Sequence, residues 1–138
     1  MNELRILTKD IRNKFNFLNG VKIKVINKNG ITRARFKYTI RNNRITNKRY
    51  IIYLYLKQLK NKRNTPRYIK LLGKTKSFKE FYGKVLLHEI CHIRQFKKGV
   101  FGNTTNLSWK KHDNHKDEKQ ANLFAIRHFN NIKPLLTR

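Results

Sequence analysis

His88-Glu89-Ile90-Cys91-His92 sets two imidazoles four residues apart with a carboxylate between them. On an α-helix, positions i and i+4 stack on one face, so both rings present a nitrogen to one point. Two imidazoles so placed bind Zn²⁺, and Glu89 beside them can act as general base on water that the metal has acidified. A catalytic zinc site takes a third protein ligand and keeps a fourth position open. Downstream residues of the right type are His112, Asp113, His115, Asp117, Glu118 and His128. Glu118 is favoured, since it falls in the first turn of the closing helix, where the dipole suits a carboxylate. Ala121, Asn122 and Ala125 follow on its side, and small side chains let two helices approach closely.

Local signals around the motif support a helix. Ser77-Phe-Lys-Glu80 is a capping box, with Ser77 as N-cap and Glu80 at N3. The helix it opens passes through Phe81, Val85, His88, His92 and Phe96, and Gly99 can end it. Gly99–His112 reads as a loop holding Trp109. Asp113 or Asn114 can cap a second helix over His115 to about Asn130, and Pro134 closes the chain. Cys91 lies about 100° around the helix from His92, which assigns it to the core rather than to a metal. His128 is almost three turns beyond Glu118, too far to share the ion. Asn122 or Asp117 can orient an imidazole from behind. His112, His115 and Tyr82 are candidates to donate to a developing oxyanion.

Val85-Leu-Leu-His-Glu-Ile-Cys-His92 followed by Glu118-Lys-Gln-Ala-Asn-Leu-Phe-Ala125 resembles the gluzincin metallopeptidases. The second stretch is similar to the E-x-x-A-N-x-F-A helix of the ImmA/IrrE-type family. The first is similar to that family and to SprT-like proteins, the group that includes the Spartan proteases. The matched residues span about 78–130, and the basic N-terminal half belongs to neither pattern. In SprT-like proteins the third ligand is usually a histidine, which here means His112 or His115. Neither is followed by the expected glycine. The order of expectation is therefore Glu118, His115, His112. The resemblance implies a zincin core: a short twisted sheet, an active-site helix below it, and a second helix supplying the third ligand.

The elements upstream must build that sheet. Apolar residues at 4, 7, 11, 15 and 18 predict an amphipathic helix over 3–18, stopped by Asn19-Gly20. Val21–Ile26 alternates, with Val21, Ile23 and Val25 inward and Lys22 and Lys24 outward, and it ends at a turn sequence, Asn27–Gly30. A second strand over roughly 31–40 carries Ala34, Phe36, Tyr38 and Ile40 on one face, and Arg33, Arg35, Lys37 and Arg41 on the other. Asn42-Asn43 marks a turn. Arg49–Leu56 reads as a third strand, buried on both faces or at a cleft edge along which a peptide substrate can add as a further strand. Pro66 can open a short helix ending at Gly73. The expected fold is α+β: an N-terminal helix, a small three-stranded, mainly antiparallel sheet with one strongly basic face, and two metal-site helices. The 138 residues make a single zincin-like domain, 1–76 being its basic half and 77–138 its metal-site half.

Charge dominates the composition. The chain has 34 Lys+Arg against 7 Asp+Glu, a net +27. Residues 1–79 contribute +21 of this and residues 80–138 contribute +6, so the acids gather in the half with the motif. Such a field favours a polyanion, with DNA or RNA foremost. The densest basic run, Lys57, Lys60, Lys62, Arg63, Arg67 and Lys70, is the candidate contact. No base-reading motif is present. One cysteine permits no internal disulfide, every apolar run is too short for a bilayer, and charges interrupt the N-terminus where a Sec signal would lie. These features point to an intracellular protein, cytoplasmic or nucleoid-associated, or one packaged in a virus particle. The expected activity is zinc-dependent hydrolysis of a protein or peptide at or near nucleic acid, which is how the SprT-like resemblance would be read. The competing class is a non-catalytic basic zincin-like protein that binds nucleic acid as a structural part of a virion or ribonucleoprotein particle.

Overall fold

The computed structural model describes residues 2–99 and 115–137. In order, these form α1 (Asn2–Arg12), a 3₁₀ turn (Asn16–Leu18), β1 (Lys22–Ile26), β2 (Arg33–Arg41), β3 (Arg44–Tyr55), α2 (Leu56–Lys62), α3 (Pro66–Leu72), α4 (Phe78–Lys97), α5 (Lys116–Ile132) and a closing 3₁₀ turn (Lys133–Thr137). No helix among the described residues is long and apolar enough to cross a membrane.

The sheet is mixed, not mainly antiparallel. Its order is β1-β3-β2, with β2 antiparallel and β1 parallel to β3. The β2–β3 hairpin forms where the turn chemistry asks for it: Asn42 and Asn43 take φ of 51° and 60°, as a two-residue primed turn requires. The turn sequence after β1 does not make a hairpin. Residues 27–32 cross the end of β3 instead, held by Lys57 N–H to Lys28 O (3.3 Å), Tyr55 N–H to Thr32 Oγ1 (3.0 Å) and Thr32 N–H to Gln58 Oε1 (2.9 Å). Gly30 is pressed against the Tyr55 ring, where any Cβ would collide. The chain therefore lays β2 on the far side of the place β3 will occupy. β3 becomes the central strand, paired on both sides, and cannot be the edge that receives a peptide. Among the described residues the free edges belong to β1 and β2.

Alternation survives this rearrangement along β1 and β2 as far as Phe36; a register shift between Lys37 and Thr39 carries the rest of the hairpin past the helices, and Tyr38 and Ile40, expected inward, are exposed. Ile23, Val25, Ala34, Phe36, Tyr50, Ile52 and Leu54 face α4; Phe36 stacks on Tyr50 (4.9 Å) and on Phe96 of α4 (6.2 Å). α4 lies between the sheet and α5. Buried residues from Leu7 to Leu135 form one cluster, with Leu86, Leu87, Ile90 and Ile93 of α4 at its centre.

Helix boundaries differ at three places. α1 ends at Arg12 rather than running to residue 18; Phe15 and Leu18, spaced i and i+3, suit the tighter 3₁₀ turn that buries Leu18. α2 was hidden in a basic stretch with only Leu56 and Leu59 buried. α5 begins at Lys116 with His115 as its N-cap and continues to Ile132. The expected caps, Asp113 and Asn114, lie outside the described residues, as do Trp109 and His112. Pro66 opens α3, and Gly73 ends it at φ 82°, as the sequence led us to expect.

Candidate metal centre

α4 is built as its sequence requires. Ser77 Oγ accepts from Glu80 N–H (3.2 Å). The returning bond of the box is displaced by one residue, Glu80 Oε2 accepting from Lys76 N–H (2.7 Å). α4 and α5 pack antiparallel, with Gly83 beneath Ile132 at one end and Gln95 against Asp117 at the other. Between these points, Glu118 meets the two histidines.

His88 Nε2 lies 3.1 Å from His92 Nε2 and 3.4 Å from Glu118 Oε1. Glu118 Oε2 is 2.5 Å from His92 Nε2. A tetrahedral ion with bonds of about 2.0–2.1 Å holds its ligand atoms about 3.3–3.4 Å apart. The two nitrogens and a Glu118 oxygen lie within 4.8 Å of one another, the group that could hold a metal ion among the described residues; the 2.5 Å His92–Glu118 contact is a hydrogen bond that would have to open to the tetrahedral spacing to admit one. Glu89 Oε1 stands 3.8 Å from His88 Nε2. Glu89, Asp117 and Glu118, three of the seven acids in a +27 chain, are all buried here. Burying charge is costly unless it is compensated, and at this site the compensation is cationic.

Electrostatics agree. Burial pulls the His92 pKa down, but the hydrogen bond to Glu118 and the charges of Glu89 and Glu118 outweigh it and raise it to about 9. Burial pushes the Glu118 carboxyl up, while its bonds to His88 and His92 hold it well below the usual carboxylate range. A site that grips a proton this firmly between imidazole and carboxylate is one where a divalent cation can replace it, with release of the proton.

Of the third-ligand candidates, Glu118 is brought to the pair. His115 is not: its Nδ1 accepts from Asp117 N–H (3.2 Å) as the N-cap of α5. His128 packs on Phe124 (4.2 Å). Cys91 is fully buried, and burial raises its thiol to about 11. Tyr82, considered as an oxyanion donor, points the other way; its hydroxyl shares a 2.6 Å hydrogen bond with Thr8 on α1. Arg63 and Arg67 of the basic run have partners within the chain, Arg63 donating to Thr75 O (3.4 Å) and Arg67 lying over the Tyr68 ring (5.3 Å). Lys57, Lys60, Lys62 and Lys70 are exposed.

Gln95 was missed by sequence reasoning. Its Nε2 donates to Asp117 O (2.9 Å) and Gln120 Oε1 (2.7 Å), which leaves Oε1 to accept from His92 Nδ1–H at 2.7 Å. That bond fixes the His92 ring with Nε2 pointing toward Glu118 and His88. The signal was present, for Gln95 is three residues past His92 and shares its face. Asn122, expected to orient an imidazole, has its Oδ1 buried without a hydrogen-bond partner, as is His88 Nδ1.

No protein-family model, curated protein or solved structure matches this chain.

Proposed function

We propose that this chain is a zinc-dependent metallopeptidase with a minimal zincin architecture, acting at or near nucleic acid. One observation carries the reading: His88, His92 and Glu118 converge from two helices on one point, with the Glu89 carboxylate buried beside them. The donor set, two imidazole nitrogens and a carboxylate oxygen, is that of a catalytic rather than a structural zinc site. The resemblance of both helices to gluzincin sequences points the same way.

His88 Nε2, His92 Nε2 and a Glu118 oxygen would hold the ion. Zinc held there supplies Lewis acidity, lowering the pKa of water and polarising the scissile carbonyl. Glu89 would accept the proton of the attacking water as its oxygen adds to the carbonyl carbon, and would then deliver it to the amine nitrogen as the carbonyl re-forms and the peptide C–N bond breaks. Gln95 keeps His92 in the tautomer that leaves Nε2 unprotonated. A peptide would lie along β2, the edge strand in contact with α4, adding main-chain hydrogen bonds there.

The test is the metal content of protein purified without added metal, read beside hydrolysis of an unfolded protein substrate. Wild type should carry about one zinc per chain; Glu118→Ala should lose it, and Glu89→Gln should keep it while losing hydrolysis. Zinc in wild type with no hydrolysis of any substrate would favour the structural alternative, a nucleic-acid-binding protein stapled by a metal.

A further inference from the structure

The side of the sheet turned away from α4 carries Lys22 and Lys24 from β1, Arg33, Arg35 and Lys37 from β2, and Arg49 from β3. The register makes these six contiguous. Lys24 and Arg33 flank Tyr53 from either side, at 5.6 and 5.7 Å from its ring. Lys22 and Arg35 flank Ile51, and Lys37 stands opposite Arg49. All but Lys37 are exposed. Residues 11–79 hold 21 Lys and Arg and no acid, so none of the three strands offers a counter-charge. Like charges directly opposed across strands destabilise a sheet, and Lys37 and Arg49 are so opposed. An anionic ligand would relieve that repulsion.

The charge does not stop at the sheet edge. Lys24 also lines a cleft of about 440 Å³ between β1 and α1, where Arg5, Lys9 and Arg12 join it. A basic band therefore runs from α1 around the β1 edge and across the sheet. Ile51, the aliphatic side chain at the centre of the face, is only 6% exposed. The aliphatic area at the centre of the face is thus covered by the basic side chains around it, which favours a hydrated polyanion over a lipid surface.

We propose that this outward sheet face, with the adjoining α1 cleft, binds the phosphodiester backbone of nucleic acid without reading its bases, and that the Lys57–Lys70 run is not the principal contact. The proposal rests on the nucleic-acid part of the function given above and is independent of peptidase activity. The sheet stands between this face and α4, so a bound strand leaves the metal centre on the far side open to a protein substrate.

The experiment is a fluorescence-anisotropy titration of wild-type protein against labelled DNA of about 20 nucleotides, single-stranded and duplex, from about 50 to 200 mM salt. The triple variant Arg33→Gln, Arg35→Gln, Lys37→Gln is set against the charge-matched Lys57→Gln, Lys60→Gln, Lys62→Gln. The sheet triple should weaken binding at least about tenfold and flatten the log–log salt slope by about two to three; the control should stay within about threefold. Relative affinity for the two DNAs tells which form of backbone is preferred. Thermal melts check folding, and Lys22→Gln with Lys24→Gln, on a different strand, reads the same surface should the triple unfold. Equal losses in both triples would mean that net charge alone acts, and would overturn the proposal. No wild-type binding to either DNA near 50 mM salt would remove the nucleic-acid reading itself.

Discussion

Between α4 and α5, the buried carboxylates of Glu89 and Glu118 meet the half-buried imidazoles of His88 and His92 in one cluster. Across the outward face of the sheet, six cations stand with no acid among them or near them in sequence. Both regions belong to one core, yet they treat charge in opposite ways. The helix pair compensates its charge internally, which makes the geometry of a few atoms matter and the salt concentration matter little. The sheet leaves its charge to be answered from outside, which makes geometry forgiving and ionic strength decisive.

That contrast can be broken by substitution. The largest effect should come from Glu89→Gln, which removes the proposed general base while leaving every proposed metal ligand in place; peptide hydrolysis should fall about 10²–10⁴-fold with zinc content unchanged. Next is Glu118→Ala in metal-free protein. It leaves His92 buried without its carboxylate, and chemical denaturation should show a loss of about 3–5 kcal/mol. Gln95→Leu keeps volume but frees the His92 ring, and zinc affinity should drop about 10–100-fold in a chelator competition. On the sheet, Arg33→Gln, Arg35→Gln, Lys37→Gln should leave stability without nucleic acid within about 0.5 kcal/mol, because the repulsion relieved offsets the loss of the Arg33 contact with Tyr53. A large destabilisation there would mean that the sheet charges are compensated internally after all. Smallest is a difference in reactivity. With its thiol raised to about 11 by burial, Cys91 stays protonated at pH 8 and should resist alkylation until the protein is denatured.

How much of this was legible follows from how local each cause is. The helix of the motif, its Ser77 cap and the stacking of His88 over His92 depend on residues within a turn of one another. The Asn42-Asn43 turn and the faces of β1 and of β2 up to Phe36 are equally local, whereas the exposure of Tyr38 and Ile40 follows from a register shift that no alternation announces. Glu118 was legible at longer range because a carboxylate in a first turn, followed by small residues, states both its electrostatics and its closeness to another helix. Strand order was not legible: the parallel pairing of Lys22–Ile26 with Ile51–Tyr55 is fixed by a loop that crosses β3, and alternation reads the same in either direction. Tyr82 was misjudged because its orientation is decided by Thr8, 74 residues away. His115 looked like a ligand because its second use, capping α5, shows only once the helix start is known.

The insertion of β3 between its two predecessors has a consequence for time. The β2–β3 hairpin closes through a two-residue turn, an event of microseconds, whereas β1 must wait for β3, its one partner and the last strand made. β1 is also a free edge, with one neighbour to hold it. The first strand made should then be the last to dock and the first to leave. Native-state hydrogen exchange would register this as faster exchange of the Lys22–Ile26 amides than of the Ile51–Tyr55 amides they face. Equal protection of the two strands would show that the sheet opens as one unit.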